Sequence, residues 1–256
     1  MVRTIAITLS YDGSGFAGFA RQPGLRTVQG AIEEALATIM RQPVDTVGAG
    51  RTDAGVHALG QVMSFSVDAE FDARSLVRSL NAIAGSGIVV TEAREVRRGF
   101  SARFDAVSRE YRYRIVPGPV APAFLAGYGW WVKTPMDLAA MREVATMLIG
   151  EHDFRSFCVA DSAAGKSTIR ALELVSVEPA IEMGEHCIVV RIVGNAFLHS
   201  MVRVLVGSLV EVGVGKRDPV WIEEALAAQE RCAAGVTAPA HGLTLWHVNY
   251  PTEYWL

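Results

Sequence analysis

Residues 48–62 read GAGRTDAGVHALGQV. Arg51 and Asp53 flank a single threonine there, and glycine and alanine crowd both of them. An aspartate in such a run has two readings. Its short side chain can bond nearby backbone and simply make a turn. Alternatively, the small neighbours let a substrate approach a bare carboxylate, which can then serve as nucleophile or proton acceptor. Arg203 raises a second question, because it interrupts the run FLHSMVRVLVGSLVEVG, residues 197–213. That run predicts a helix apolar nearly all round, hence a buried one. A buried guanidinium needs an anion, either a carboxylate or a phosphate. A structural ion pair satisfies that need as well as a catalytic one. Tyr111 raises a third question. Alternation along REYRYRIV (109–116) places Tyr111, Tyr113 and Ile115 on one face and Arg112 and Arg114 on the other. The tyrosine face is either plain core or a ring on which a base can stack.

Other motifs do not survive their context. GSGFAG (13–18) fits a dinucleotide-binding glycine pattern, but the next predicted helix opens about ten residues later, beyond Pro23 and Gly24. AAGKST (163–168) resembles the end of a P-loop, yet the first glycine of that motif falls on Ala160. No GxSxG elbow is present. Cys158, Cys187 and Cys232 are odd in number and widely spaced, which suits a reduced, cytoplasmic setting. The six histidines are scattered, so no metal site is expected.

The elements that must position these residues follow from periodicity. Strands are expected at 3–13, near 44–52, and at 60–68, 87–96, 109–116, 168–179, 186–195 and 243–250. Thr27 is placed to cap a helix over Val28–Met40, and Asp72 another over 73–84. Further helices are expected from Thr134–Pro135 to Ile149, over 196–213, and from Asp218–Pro219 onward. Strands and helices interspersed in both halves predict an α+β fold of two related domains, residues 1–106 and 107–256.

Across the 256 residues, 50% are hydrophobic, 20% are charged and the net charge is −3, a globular composition. No apolar run is long and uncharged enough to span a membrane. Arginine far outnumbers lysine, and REVRRGFSARFDAVSREYRYR (94–114) mixes it with aromatics. A local stripe of this kind suits nucleic acid, though a solvated charged face reads the same way.

Taken in order, YDGSGFAGFARQ (11–22), TVQGAIEEAL (27–36), GAGRTDAGVHALGQV (48–62), FSARFDAVSREYRYRI (100–115), GEHDFRSF (150–157), NAFLHSMVRVLVGSL (195–209) and HGLTLWHVNY (241–250) make the chain resemble the TruA-type tRNA pseudouridine synthases. The resemblance implies a pseudouridine synthase fold: two α+β halves sharing a joined, mainly antiparallel sheet with a basic cleft between them. It implies a catalytic role for Asp53, with Arg51 handling the flipped nucleotide and Tyr111 packing on the target base. It also implies an ion pair from Arg203 to Asp53. The implied activity is isomerisation of uridine in the anticodon stem-loop of tRNA, around positions 38–40. The implied enzyme is a homodimer with neither metal nor organic cofactor. Two alternatives stay open at this level: the same chemistry on another RNA, and a noncatalytic RNA-binding protein. The sequence departs from the family pattern at Phe19-Ala20, where Trp-Gln is usual, and at Ala58-Leu59.

Overall fold

The computed structural model describes residues 2–68, 72–159 and 165–255. The chain forms two compact units, residues 1–109 with 244–256, and residues 110–243. The first division falls at Arg109/Glu110, where the sequence reading put its boundary at 106/107. A second division at Leu243/Thr244 returns the last strand to the first unit.

In the first unit, β1 (Arg3–Tyr11) lies between β4 (Ile88–Val96) and β3 (His57–Val67), antiparallel to both. β3 shares its other edge between two partners. β2 (Val47–Gly48) pairs antiparallel at Met63 and Ser64. β10 (Leu243–Asn249) pairs in parallel at His57 and Ala58. Ile5, Ile7 and Leu9 alternate into the core and are fully buried. Two helices accompany the sheet, α1 (Val28–Met40) and α2 (Ala73–Ile83). Thr27 Oγ1 accepts from Gly30 N and Asp72 from Ser75 N, so both expected caps form.

In the second unit, β5 (Ser108–Pro117), β9 (Glu185–Gly194), β8 (Ile169–Glu182) and β7 (Gly150–Asp153) follow one another across the sheet, with β6 (Trp130–Val132) parallel to β5. The long hairpin β8–β9 pairs from Leu172↔Gly194 to Glu182↔Glu185. α3 (Leu138–Met147) packs on β8 and against α4 (Met201–Gly213), and α5 (Trp221–Ala228) follows.

Three helix starts differ from expectation, each because a polar side chain takes an early backbone N–H. α3 begins at Leu138 rather than near Pro135, since Asp137 Oδ1 accepts from Ala139 N and Ala140 N. α5 begins at Trp221 rather than at Asp218–Pro219, since Asp218 Oδ1 accepts from Val220 N and makes a turn first. α4 begins at Met201 rather than at Ala196. Asn195 Oδ1 captures Ala196 N, and Ser200 is left-handed at φ 59°. Residues 160–164, which hold the start of the P-loop-like stretch, lie outside the described residues.

Candidate active site

Asp53 sits at the tip of the loop joining β2 to β3, and the loop is braced from several directions. Ala49 N donates to Val62 O at 2.8 Å, and Gln61 Nε2 donates to Gly50 O at 2.8 Å. The Thr52 hydroxyl meets the Tyr11 hydroxyl at 2.7 Å inside the core, and Phe19 N donates to Thr52 O at 3.0 Å. A turn follows in which Val56 N donates to Asp53 O at 3.1 Å, with Gly55 at φ 80°. Thr52 is buried on one side of Asp53, Asp53 is half-buried, and Arg51 is exposed. The threonine is therefore the anchor between the exposed Arg51 and the half-buried Asp53. Burial pushes the Tyr11 phenol up to about 12, against the pull of its bonds from Thr52 and Gln61. Tyr11 thus stays a neutral hydrogen-bonding anchor at physiological pH.

The glycines of GSGFAG belong to this brace. A Cβ on Gly13 would stand 2.1 Å from Val56 O, so only glycine lets the 13–15 turn lie on the Asp53 loop. Gly13 N donates to His57 Nδ1 at 3.2 Å. The pattern that resembled a dinucleotide fingerprint is a packing contact. Phe19, where the family usually has tryptophan, is 2% exposed and lies over Gly48. The departure at this position is thus a change in core packing.

A second loop, residues 101–106, is tied to the first by one buried guanidinium. Arg109 Nη2 donates to Ala49 O at 3.1 Å and to Arg103 O at 2.6 Å, and Nη1 donates to Ala106 O at 3.1 Å. Ala49 is itself buried, so its small size serves packing and not, as the sequence suggested, room for a substrate backbone. Much of the arginine-rich stripe is likewise structural. Arg94 pairs with Glu92, Arg112 with Glu110 and Arg114 with Glu182, whereas Arg97, Arg98 and Arg103 are exposed. The i, i+2 spacing of Glu110 and Arg112 puts them on one face of β5 and makes that pairing possible.

In the second unit, Arg203 lies near Tyr113, two residues along β5 from Tyr111. Tyr111 is 7% exposed and meets the Phe197 ring edge-on at 5.0 Å. Two residues along β5, the Tyr113 hydroxyl donates to Pro239 O at 2.8 Å. Burial raises the Tyr113 phenol, and the positive charge of Arg203 acts against that rise. Arg203 Nε donates to the adjoining Ala238 O at 2.8 Å. Arg203 lies in the first turn of α4, not in its middle, and it alone among Met201–Gly213 is half-buried instead of buried. A cation at the positive end of a helix opposes the macrodipole. Helix stability therefore does not explain this arginine.

Arg51 and Asp53 thus occupy one loop of the first unit, while Tyr111 on β5 and Arg203 on α4 both belong to the second. Tyr11, Gln61 and Arg109 were not singled out from sequence, although all three stand inside the quoted blocks. Their signal was faint: a polar residue on an otherwise apolar strand face. Cavity volume is no guide, because a cleft of about 940 Å³ lined by Arg21, Arg26 and Ile83 includes neither Arg51 nor Asp53. Among the described residues no group of His, Cys, Asp and Glu could hold a metal ion, and no helix is long and apolar enough to cross a membrane.

A family model described as tRNA pseudouridine synthase matches residues 7–105 and 144–251. A Brevibacillus brevis protein called tRNA pseudouridine synthase A is 44% identical over 97% of this chain and 100% of its own length. Proteins of the same name from Methylococcus capsulatus and Burkholderia cenocepacia are 42% and 44% identical, each over 98% of this chain and 91% of its own length. On this evidence, joined to the ordered motifs and the braced Asp53 loop, the chain belongs to the tRNA pseudouridine synthase family.

Proposed function

We propose that this chain isomerises uridine to pseudouridine in the anticodon stem-loop of tRNA, with Asp53 as the catalytic group. In this reaction the C1′–N1 bond breaks and a C1′–C5 bond forms. C5 loses its proton to solvent and N1 gains one. Nothing is oxidised or reduced, so the chemistry calls for no redox cofactor. It calls for an ionised carboxylate within reach of the nucleoside. The observation that carries the reading is the half-buried Asp53, held at the tip of a loop whose neighbours are bonded to the core. Fixing the carboxylate beforehand lowers the entropic part of the barrier. Attack on the ribose, attack on the base and proton transfer all use the same ionised oxygen.

A uridine inside a stem is out of reach, so it must leave the stack. Arg51, exposed two residues before Asp53, is suited to occupy the vacated space or hold a phosphate. Tyr111 is assigned to pack on the extruded base. The enzyme works in the cytoplasm as a homodimer, whose mass sedimentation would check. The test of the whole reading is tritium release from tRNA carrying 5-tritiated uridine. Release by the native protein, abolished in Asp53→Asn that still binds tRNA, is the expected result. Near-normal release by that variant would refute the role of Asp53.

A further inference from the structure

The loop 101–106 is rigid in its backbone and open at its tip. Ser101 N donates to Asp105 Oδ2 at 2.7 Å, and Ala102 N donates to Ser64 Oγ at 2.9 Å. The Tyr250 hydroxyl donates to Ala102 O at 2.6 Å, and the Tyr254 hydroxyl reaches Asp105 Oδ1 at 3.1 Å. Arg109 holds the Arg103 carbonyl from beneath. Yet Phe104, at the tip of this heavily bonded loop, is 79% exposed. The Arg103 guanidinium lies over its ring, 5.4 Å from the centroid. An exposed phenylalanine gains nothing for folding, and the surrounding bonds prevent the loop from relaxing to bury it.

We propose that Phe104 and Arg103 form an RNA-binding platform, on which Phe104 stacks an unpaired base of the substrate and Arg103 holds an adjoining phosphate. The proposal rests on the reading of the ligand as tRNA. Two observations favour RNA over a protein partner. The ring is covered by the exposed Arg103, and exposed Arg97 and Arg98 stand six and seven residues earlier in the chain, whereas the centres of protein interfaces are depleted of charge. The platform is also mechanically joined to the catalytic loop, because one nitrogen, Arg109 Nη2, bonds both Arg103 O and Ala49 O. A strand engaged by Arg51 and Asp53 then meets a second fixed contact whose position relative to Asp53 is set.

The test is equilibrium binding of an unmodified tRNA transcript, with tritium-release kinetics and thermal unfolding measured in parallel. Phe104→Ala is expected to raise both Kd and KM about tenfold or more while leaving kcat within about twofold. Its melting temperature should stay that of the native protein, because the ring is exposed. Phe104→Trp, which retains a stacking face, should restore binding to near native. Arg103→Gln should weaken binding and reduce the slope of log Kd on log salt by about one. A Phe104→Ala protein with native Kd and KM would overturn the proposal. So would one whose only change is oligomeric state, which would make the ring a protein contact. Failure of the native protein to release tritium would count against the proposed function alone. Failure of Phe104→Ala to alter Kd would count against the platform alone.

Discussion

At the scale of single residues, Thr52 separates two charged neighbours by being fixed itself. Its bond to Tyr11 is a buried attachment of the Asp53 loop. Tyr11→Phe removes one buried hydroxyl partner and should cost about 1 kcal/mol of stability. It should lower kcat more than that loss implies, because Asp53 then sits on an unanchored neighbour. Circular-dichroism melts beside tritium-release kinetics would separate the two effects. Arg109 presents a stricter case. Its guanidinium serves three carbonyls at once, a fork that a lysine ammonium cannot reproduce. Both Arg109→Met and Arg109→Lys should lose roughly 3 kcal/mol in denaturant titration. A native midpoint for the lysine variant would show that the charge alone is what matters. Arg203 should behave in the opposite way. Arg203→Met removes a cation from the first turn of α4, so stability should change by only about 1 kcal/mol while turnover falls steeply. A double-mutant cycle with Asp53 would then show whether the two act as a unit.

At the scale of elements, charge on β5 is organised to hold the sheet. Burial alone would raise the Glu110 carboxyl, but Arg191 and Arg112 overcome it and hold the group below the usual carboxylate range. A depressed carboxyl stabilises the fold above its unfolded pKa, and that stability is lost as pH falls through the folded one. Acid unfolding should therefore steepen below about pH 4, the ordinary range for Glu. Glu110→Gln should flatten that limb of the stability-against-pH curve. The caps at Thr27 and Asp72 were legible because a cap is a local event between neighbours in sequence. The start of α4 was not, because it depends on a side chain bonding ahead of the apolar run and on a left-handed Ser200 that no periodicity reveals. Ordered motifs singled out Asp53, Arg51, Tyr111 and Arg203, but the surroundings of these residues were not legible. Arg109 looked like one more member of a basic stripe. Its acceptors come from residue 49 and from 103 and 106, and only the fold brings those together.

At the scale of the whole molecule, the first unit is discontinuous in sequence. Its sheet is completed by β10, which pairs with His57 and Ala58, four and five residues beyond Asp53. Gly60 lies so close to β10 that a Cβ would stand 2.5 Å from Trp246 O. Deleting residues 244–256 should leave β3 without this partner. Hydrogen exchange should quicken at His57–Val67 well before it does in β8 and β9. Equal protection in the full and shortened chains would contradict that coupling.

The return of β10 also has a consequence for biosynthesis. The Asp53 loop emerges from the ribosome early, but the strand beside it is made only after residues 110–243. At typical synthesis rates the nascent chain waits on the order of ten seconds with that edge of β3 unpaired while residues 110–243 are added. An unpaired edge of this kind invites association with other chains. A nascent chain that has not yet reached β10 therefore carries Asp53 on an unfinished support, and maturation of the site is deferred until that strand has emerged.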